Sequence, residues 1–119
     1  MADNSQSGPR IDYVELPSLT AHELTRAFYS RAFGWVFTDY GPDYSATTES
    51  VVDVGLNGTP EDSISAPLPV VRVGDLEAAL DAVLKAGGVI ARQIYAFPGG
   101  RRFHFIDPSG SELAVWQSE

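Results

Sequence analysis

Side chains that could carry out acid–base chemistry on a small molecule are concentrated near the C-terminus. His104 precedes the tetrapeptide 107–110, and Glu112 and Trp116 follow it. An imidazole can act as a general base or hydrogen-bond donor near neutral pH, and a carboxylate can accept a proton or bind a cation. The same side chains are compatible with a wet rim that does no chemistry. The elements that position them decide between these interpretations.

The tetrapeptide Asp107-Pro108-Ser109-Gly110 predicts the turn of a β-hairpin. Asp in the first position, Pro in the second and Gly in the last are typical of a type I turn. Alternation in the flanking runs predicts a strand on each side. One face would carry Phe103, Phe105, Leu113 and Val115, and the other Arg102, His104, Glu112, Ala114 and Trp116. We therefore expect His104 and Glu112 to face a common cavity.

The predicted order of elements is strand, helix and three strands, and it occurs twice. Alternation indicates strands, and a 3.6-residue apolar period indicates helices. The first set comprises a strand at 11–17, a helix from Thr20 to Gly34, and strands at 35–40, 44–49 and 51–56. The second set comprises a strand at 69–73, a helix after Asp75 that ends at Gly87-Gly88, a strand at 89–95 and the closing hairpin. The repeated order indicates an internal duplication.

Each predicted helix has a recognisable start and an apolar face. Thr20 and Glu23 have the spacing of a capping box, and Asp75 is a favourable N-cap. We expect Leu24, Ala27, Phe28 and Ala32 to share one apolar face of the first helix, which buries one face of its module's sheet.

These elements predict an α+β fold class, in which two βαβββ modules form one domain with a cupped mixed sheet. The modules cover about 11–57 and 68–118 within a single domain at 11–118, joined by a linker at about 58–67. Residues 1–10 predict a disordered lead-in without the apolar segment of a signal peptide.

Composition narrows the classes of partner. The 119 residues carry a formal net charge of −8, which disfavours nucleic acid and anionic membrane surfaces. The chain has no cysteine, which excludes a disulfide, a thiolate nucleophile and a zinc–sulfur site within this sequence. A cytoplasmic location and a small-molecule ligand or substrate are therefore expected.

Several motifs resemble the vicinal oxygen chelate superfamily, which includes glyoxalase I, bleomycin-resistance and fosfomycin-resistance proteins, and extradiol dioxygenases. The motifs are the runs 28–35, 75–80, 86–88 and 105–110, and the resemblance extends from Ile11 to Gln117. It implies the paired-module fold, but it does not choose between a metalloenzyme and a metal-free binding protein.

The resemblance also implies where metal ligands would lie, and this chain departs from that pattern. The first-strand histidine falls at Tyr13, the histidine that opens the second module near Leu68, and the C-terminal glutamate at Ala114. Asp53 is the local candidate for the remaining ligand. Leucine and alanine have no donor atoms, so we expect no metal and no cofactor.

Two functions remain open. The first is metal-free binding of a small molecule in a cavity lined by ligand-binding residues Tyr13, Glu15, Arg72, His104, Glu112 and Trp116. The second is a glyoxalase-like lyase or isomerase that uses His104 or Glu15 as base. Pairing of the carboxylates with Arg72, Arg92 or Arg102 would instead make them part of the scaffold. For the aromatic residues Tyr13 and Trp116, packing is the more common role.

Two further expectations concern surfaces. His22, in the first turn of its helix, is expected to be solvated. Trp35, Phe37 and Tyr40 are expected to form apolar rims that a second copy covers in a homodimer.

Overall fold

The computed structural model describes residues 8–119. Its elements are β1 (Arg10–Pro17), α1 (His22–Phe33), β2 (Thr38–Asp39), β3 (Tyr44–Ala46), β4 (Asp53–Asn57), a short 3₁₀ turn (Pro60–Asp62), β5 (Leu68–Arg72), α2 (Leu76–Lys85), β6 (Val89–Phe97), β7 (Gly100–Ile106) and β8 (Glu112–Ser118). The predicted α+β class and the repeated βαβββ order are confirmed. Neither α1 nor α2 is long and apolar enough to cross a membrane.

The chain divides into two compact units. The N-terminal unit is Tyr13–Leu68, and the C-terminal unit is Pro69–Glu119 together with the described residues up to Asp12. The division falls inside β1, which therefore contributes to both units. Residues 1–7 of the predicted lead-in lie outside the described residues, and Arg10 already belongs to β1.

Strands of the N-terminal unit follow the order β2-β3-β4-β1. β1 runs parallel to β4, with Glu15 opposite Gly55, and β3 is antiparallel to both of its neighbours. The strand expected at 35–40 is reduced to Thr38–Asp39, because only these two residues pair with β3. A two-residue edge strand presents few unpaired backbone groups to other chains.

Helix α1 departs from two expectations. The capping box is wrong: the N-cap is Ala21, whose N–H donates to the Ser18 carbonyl oxygen, and Thr20 lies outside the helix. The buried apolar face is also wrong, since Leu24 is 76% and Phe28 58% exposed. The C-terminal end agrees with the sequence, because Gly34 adopts a left-handed conformation there.

Strands of the C-terminal unit follow the order β5-β8-β7-β6. β5 and β8 are parallel, whereas β8, β7 and β6 are antiparallel neighbours. Helix α2 packs on one face of these strands through a core centred on Leu76, Phe103 and Val115. The predicted N-cap is confirmed, because Asp75 Oδ1 accepts a 3.0 Å hydrogen bond from the Ala78 N–H.

The predicted closing turn is also confirmed. The Gly110 N–H donates to the Asp107 carbonyl oxygen at 3.0 Å, and Gly110 has a φ of 95° that favours glycine. The Asp107 carboxylate accepts from the backbone N–H groups of Ser109 and Ser111 at 2.8 and 3.0 Å. This double acceptance explains why Asp is well suited to the first position.

Candidate functional site

The strand face opposite α2 carries polar and aromatic side chains. In the β7–β8 register, Arg102 lies opposite Trp116, and His104 opposite Ala114. Their neighbours Phe103 and Val115 point to the other face, into the α2 core. We call this surface the polar–aromatic face, and its members are Arg72, Arg92, Tyr95, Phe97, Arg102, His104, Glu112 and Trp116.

His104 occupies the centre of a hydrogen-bonded chain. Its Nδ1 lies 2.9 Å from Glu112 Oε2, and its Nε2 lies 3.0 Å from the Tyr95 hydroxyl. The residue is only 3% exposed. Burial lowers the pKa of His104 below 6.5, the nearby Arg102 and Arg92 charges act in the same direction, and the Glu112 hydrogen bond opposes them. A neutral ring would donate its Nδ1–H to Glu112 and accept the Tyr95 proton at Nε2.

Tyr95 was not singled out from the sequence, yet it connects His104 to two arginines. Its hydroxyl oxygen accepts a short hydrogen bond from Arg102 Nε. The guanidinium carbon of Arg92 lies 3.6 Å from the centre of its ring, a cation–π contact. A register shift between Arg92 and Tyr95 places both opposite β7 residues of this face.

Arg72 and Trp116, both predicted ligand-binding residues, form the other end of the face. The guanidinium carbon of Arg72 lies 5.0 Å from the Trp116 ring centre, and the indole N–H donates to Asp12 Oδ1 at 3.0 Å. Phe97 lies between the two ends, 6.2 Å from the Trp116 ring and 5.9 Å from the guanidinium of Arg102. Arginines and aromatic rings thus alternate across the strands.

Tyr13 and Glu15, the predicted residues of the N-terminal unit, belong to a hydrogen-bonded cluster within that unit. Glu15 is 2% exposed and accepts from the Tyr44 hydroxyl at 2.8 Å and from Asn57 Nδ2 at 3.3 Å. The Tyr13 and Tyr44 hydroxyls lie 2.5 Å apart. Burial, followed by the negative charge of Glu15, raises the pKa of Tyr44 strongly, so this phenol keeps the proton that it donates to Glu15.

Gly55 provides the space for the two phenols. A Cβ atom at this position would clash with the hydroxyl oxygens of both Tyr13 and Tyr44. The close approach of the two phenols, rather than the backbone conformation, requires glycine at this position. The φ of Gly55 is not positive, so another residue could adopt its backbone conformation.

His22 is not the solvated residue that the sequence suggested. Its Nδ1 lies 2.7 Å from Ser18 Oγ, and its Nε2 lies 3.1 Å from Ser45 Oγ. Ser45 in turn donates to Asp39 Oδ1 at 2.6 Å. The ring therefore links the start of α1 to β3, a contact that helical position alone does not reveal.

The positions matched to the family's metal ligands do not fit a metal ion. Leu68 and Ala114 have no donor atoms, and the Tyr13 phenol is hydrogen-bonded to Tyr44. The Asp53 carboxylate accepts from the Thr47 hydroxyl at 2.9 Å and from a backbone N–H at 3.1 Å. Within residues 8–119, no three His, Cys, Asp or Glu side chains are grouped as a metal site.

The fold and its two modules define a class of paired-module α+β proteins. The chain belongs to the Glyoxalase/Bleomycin resistance protein/Dioxygenase superfamily, whose family model matches residues 10–115. This confirms the resemblance noted in the sequence.

Individual relatives agree with this family. The chain is 28% identical over 118 residues to "Putative glyoxylase CFP32" of Mycobacterium bovis, and equally to its counterpart in Mycobacterium tuberculosis. The match covers 90% of the chain but only 45% of those relatives, so the chain spans about half their length.

Solved structures show the same fold. A superfamily member from Vibrio splendidus has a TM-score of 0.66 at 19% identity, covering 93% of this chain and 99% of that one. Methylmalonyl-CoA epimerase from Mycobacterium tuberculosis has a TM-score of 0.72 at 13% identity, covering 92% and 87%. At these identities the likeness concerns the fold alone.

Proposed function

We propose that the chain binds a small organic molecule at the polar–aromatic face of its C-terminal unit, without a metal ion. One observation carries the proposal: the side chains of this face are joined from Glu112 through His104, Tyr95 and Arg102 to the aromatic residues. Structural polar groups are more often satisfied by nearby backbone than by so long a side-chain series.

The face combines two kinds of recognition. Trp116 and Phe97 offer flat apolar surfaces, on which an aromatic or conjugated ligand can stack. Glu112, whose side chain is 48% exposed, offers a carboxylate that can accept a hydrogen bond from a hydroxyl group of the ligand. A flat, oxygen-bearing ligand is therefore the proposed class.

A thermal-shift screen of conjugated oxygen-bearing compounds tests the proposal, with hits measured by calorimetry. Trp116→Leu removes the stacking surface and should weaken binding about tenfold or more. Val36→Ala, at a residue that is 82% exposed in the N-terminal unit, is the control and should leave affinity unchanged. Ligands that bind both variants equally would place the site elsewhere.

The metal-free part of the proposal has its own test. Leu68 and Ala114 support it, because neither can coordinate an ion. Elemental analysis after dialysis without chelator should find far less than one equivalent of zinc, nickel, manganese or iron per chain. Near one equivalent would contradict metal-free binding and favour the enzyme below.

A second candidate is a glyoxalase-like lyase or isomerase, and the mycobacterial relatives carry the name putative glyoxylase. The specific support is the Glu112–His104–Tyr95 chain, in which a proton taken up at the Tyr95 oxygen could pass to His104 Nε2. Glu15 is the alternative base, although its carboxylate already accepts from Tyr44 and Asn57.

Deuterium exchange distinguishes binding from catalysis. A bound carbonyl compound should exchange its adjacent C–H with D₂O in the wild type and much more slowly in His104→Gln. His22→Gln, which changes the other histidine, is the matched control. If the wild type bound the compound without deuterium exchange, the binding proposal would be supported and the catalytic proposal would be contradicted.

We also propose that the chain forms a homodimer in the cytoplasm. None of the twelve residues of α1 is buried, and Leu24, Phe28 and Phe33 are 76%, 58% and 62% exposed. This helix face suits a second copy better than the expected rim, since Phe37 is only 7% exposed and that part of the expectation is wrong. Light scattering should give twice the chain mass, and Phe28→Glu should give a monomer.

A further inference from the structure

A pocket of about 360 Å³ opens in the C-terminal unit, where β1 begins and β5 and β8 end. Its lining includes Arg10, Arg72, Gly74, Gln117 and Ser118. The volume is in the range of small-ligand sites. Among the described residues that line it, none carries a carboxylate.

The polar side chains of this pocket present donors. Ser118 Oγ accepts from Arg72 Nη2 at 3.0 Å, so the hydroxyl proton of Ser118 can point to another acceptor. Gln117 Oε1 accepts from the Leu76 N–H at 2.8 Å. That bond fixes the orientation of the Gln117 amide and leaves its Nε2 as the donor.

Arg72 is held in place before any ligand arrives. Its guanidinium stacks on Trp116 and bonds to Ser118, and its side chain is still 39% exposed. Asp12 is the nearby counter-charge, but its Oδ2 lies 3.7 Å from Arg72 Nη1, and its Oδ1 already accepts the Trp116 N–H. A fixed guanidinium loses little freedom when it binds an oxyanion.

We infer that this pocket binds the oxyanion group of a small molecule, a carboxylate or a phosphate. Guanidinium, amide and hydroxyl donors around one space match the several acceptor oxygens of such a group. The net charge of −8 gives no long-range attraction for anions, so binding depends on this local geometry. The pocket shares Arg72 with the polar–aromatic face. Its Gln117 and Ser118 donors lie outside that face, so the inference and the proposed function can fail separately.

Nuclear magnetic resonance of the ¹⁵N-labelled chain tests the inference. Inorganic phosphate and acetate are titrated separately, with acetamide as the neutral control. At least one anion should shift the Gln117 side-chain NH₂ signals saturably, and acetamide should not. Tighter binding of phosphate or of acetate identifies which oxyanion the pocket prefers. Equal shifts with acetamide, or no shift with either anion, would overturn the inference.

Two variants locate the site. Arg72→Gln removes the charge, and Gln117→Glu keeps an acceptor for the Leu76 N–H but replaces the amide donor with a carboxylate. Each should weaken anion binding about tenfold or more. Arg31→Gln and Gln93→Glu make the same charge changes at exposed positions and should keep wild-type affinity. Circular dichroism confirms folding, and unchanged affinity in a folded Gln117→Glu variant would overturn the assignment.

Discussion

The two histidines of the chain show how differently the two units use one order of elements. Both rings are bonded at both nitrogens, but His104 contacts the carboxylate of Glu112 directly, whereas His22 reaches Asp39 only through Ser45. His104 also lies among arginines and aromatic rings, while His22 joins a helix start to a strand. The same side chain thus belongs to the polar–aromatic face in one unit and to a helix–strand contact in the other.

The helices differ in a parallel way. α2 has a side-chain N-cap and buries its apolar stripe on the strands. α1 has no side-chain cap and exposes its large apolar residues. A duplicated module can therefore keep its topology while its surfaces take on separate roles.

The largest effect is expected from Gly55→Ala, which tests whether the N-terminal cluster is scaffold. The added Cβ would displace the Tyr13 and Tyr44 hydroxyls and should lower the free energy of unfolding by about 3 kcal/mol. Urea denaturation measures this. Gly74→Ala is the control, since a Cβ there meets no atom within 4 Å. Similar stability of the two variants would contradict the tight packing.

A smaller loss is expected from Tyr44→Phe, which removes one donor from the buried Glu15 carboxylate. Hydrogen bonds to charged groups contribute about 2 kcal/mol, and urea denaturation should show a loss of that size. Tyr40→Phe, at a residue that is 58% exposed, should change stability little. If Tyr44→Phe left the free energy of unfolding unchanged, the other contacts of Glu15 would be sufficient to stabilise its carboxylate.

Substitutions at the starts of the two helices should differ by about 1 kcal/mol in the free energy of unfolding that they cost. Asp75→Ala removes the cap of α2 and should cost that amount of unfolding free energy. Thr20→Ala should have almost no effect, because Ala21 is the N-cap of α1. Thermal unfolding of both variants checks the contrast, and an equal loss in both would restore the capping box that the sequence suggested.

The smallest effect concerns the pH dependence of stability. Burial lowers the pKa of His104 in the folded chain. At pH values between this lowered pKa and the ordinary histidine pKa of 6.5, the unfolded chain therefore binds more protons than the folded chain. The free energy of unfolding should fall as the pH is lowered through this range. His104→Gln should reduce the slope of unfolding free energy against pH in this range. Above a pH of about 7.5, the wild type and the variant should have the same slope. Equal slopes in wild type and variant would exclude the assignment of a neutral ring.

Sequence patterns correctly predicted those structural features that are determined by contacts between residues close together in the chain. The Asp75 N-cap and the Asp107 turn are decided within a few residues, and both were correct. Tyr95 was missed because an irregularity in β6 shifts its register, so that simple alternation does not place it beside His104. Tyr44 was missed because Glu15, its partner, lies 29 residues away in sequence. The exposure of α1 could not be predicted, because the apolar period of a helix does not show which part of the protein covers its apolar face.

The Asp107 turn has a consequence for the order of folding. β7 and β8 are joined by residues 107–111 alone, so their pairing closes a short loop at little entropic cost. β1 and β4 must instead come together across the 35 residues 18–52 that lie between them in the chain. We expect the closing hairpin to be formed early, in the folding transition state. The strands that carry His104, Glu112 and Trp116 would then acquire their register first, and substitutions there would change the rate of folding more than the rate of unfolding.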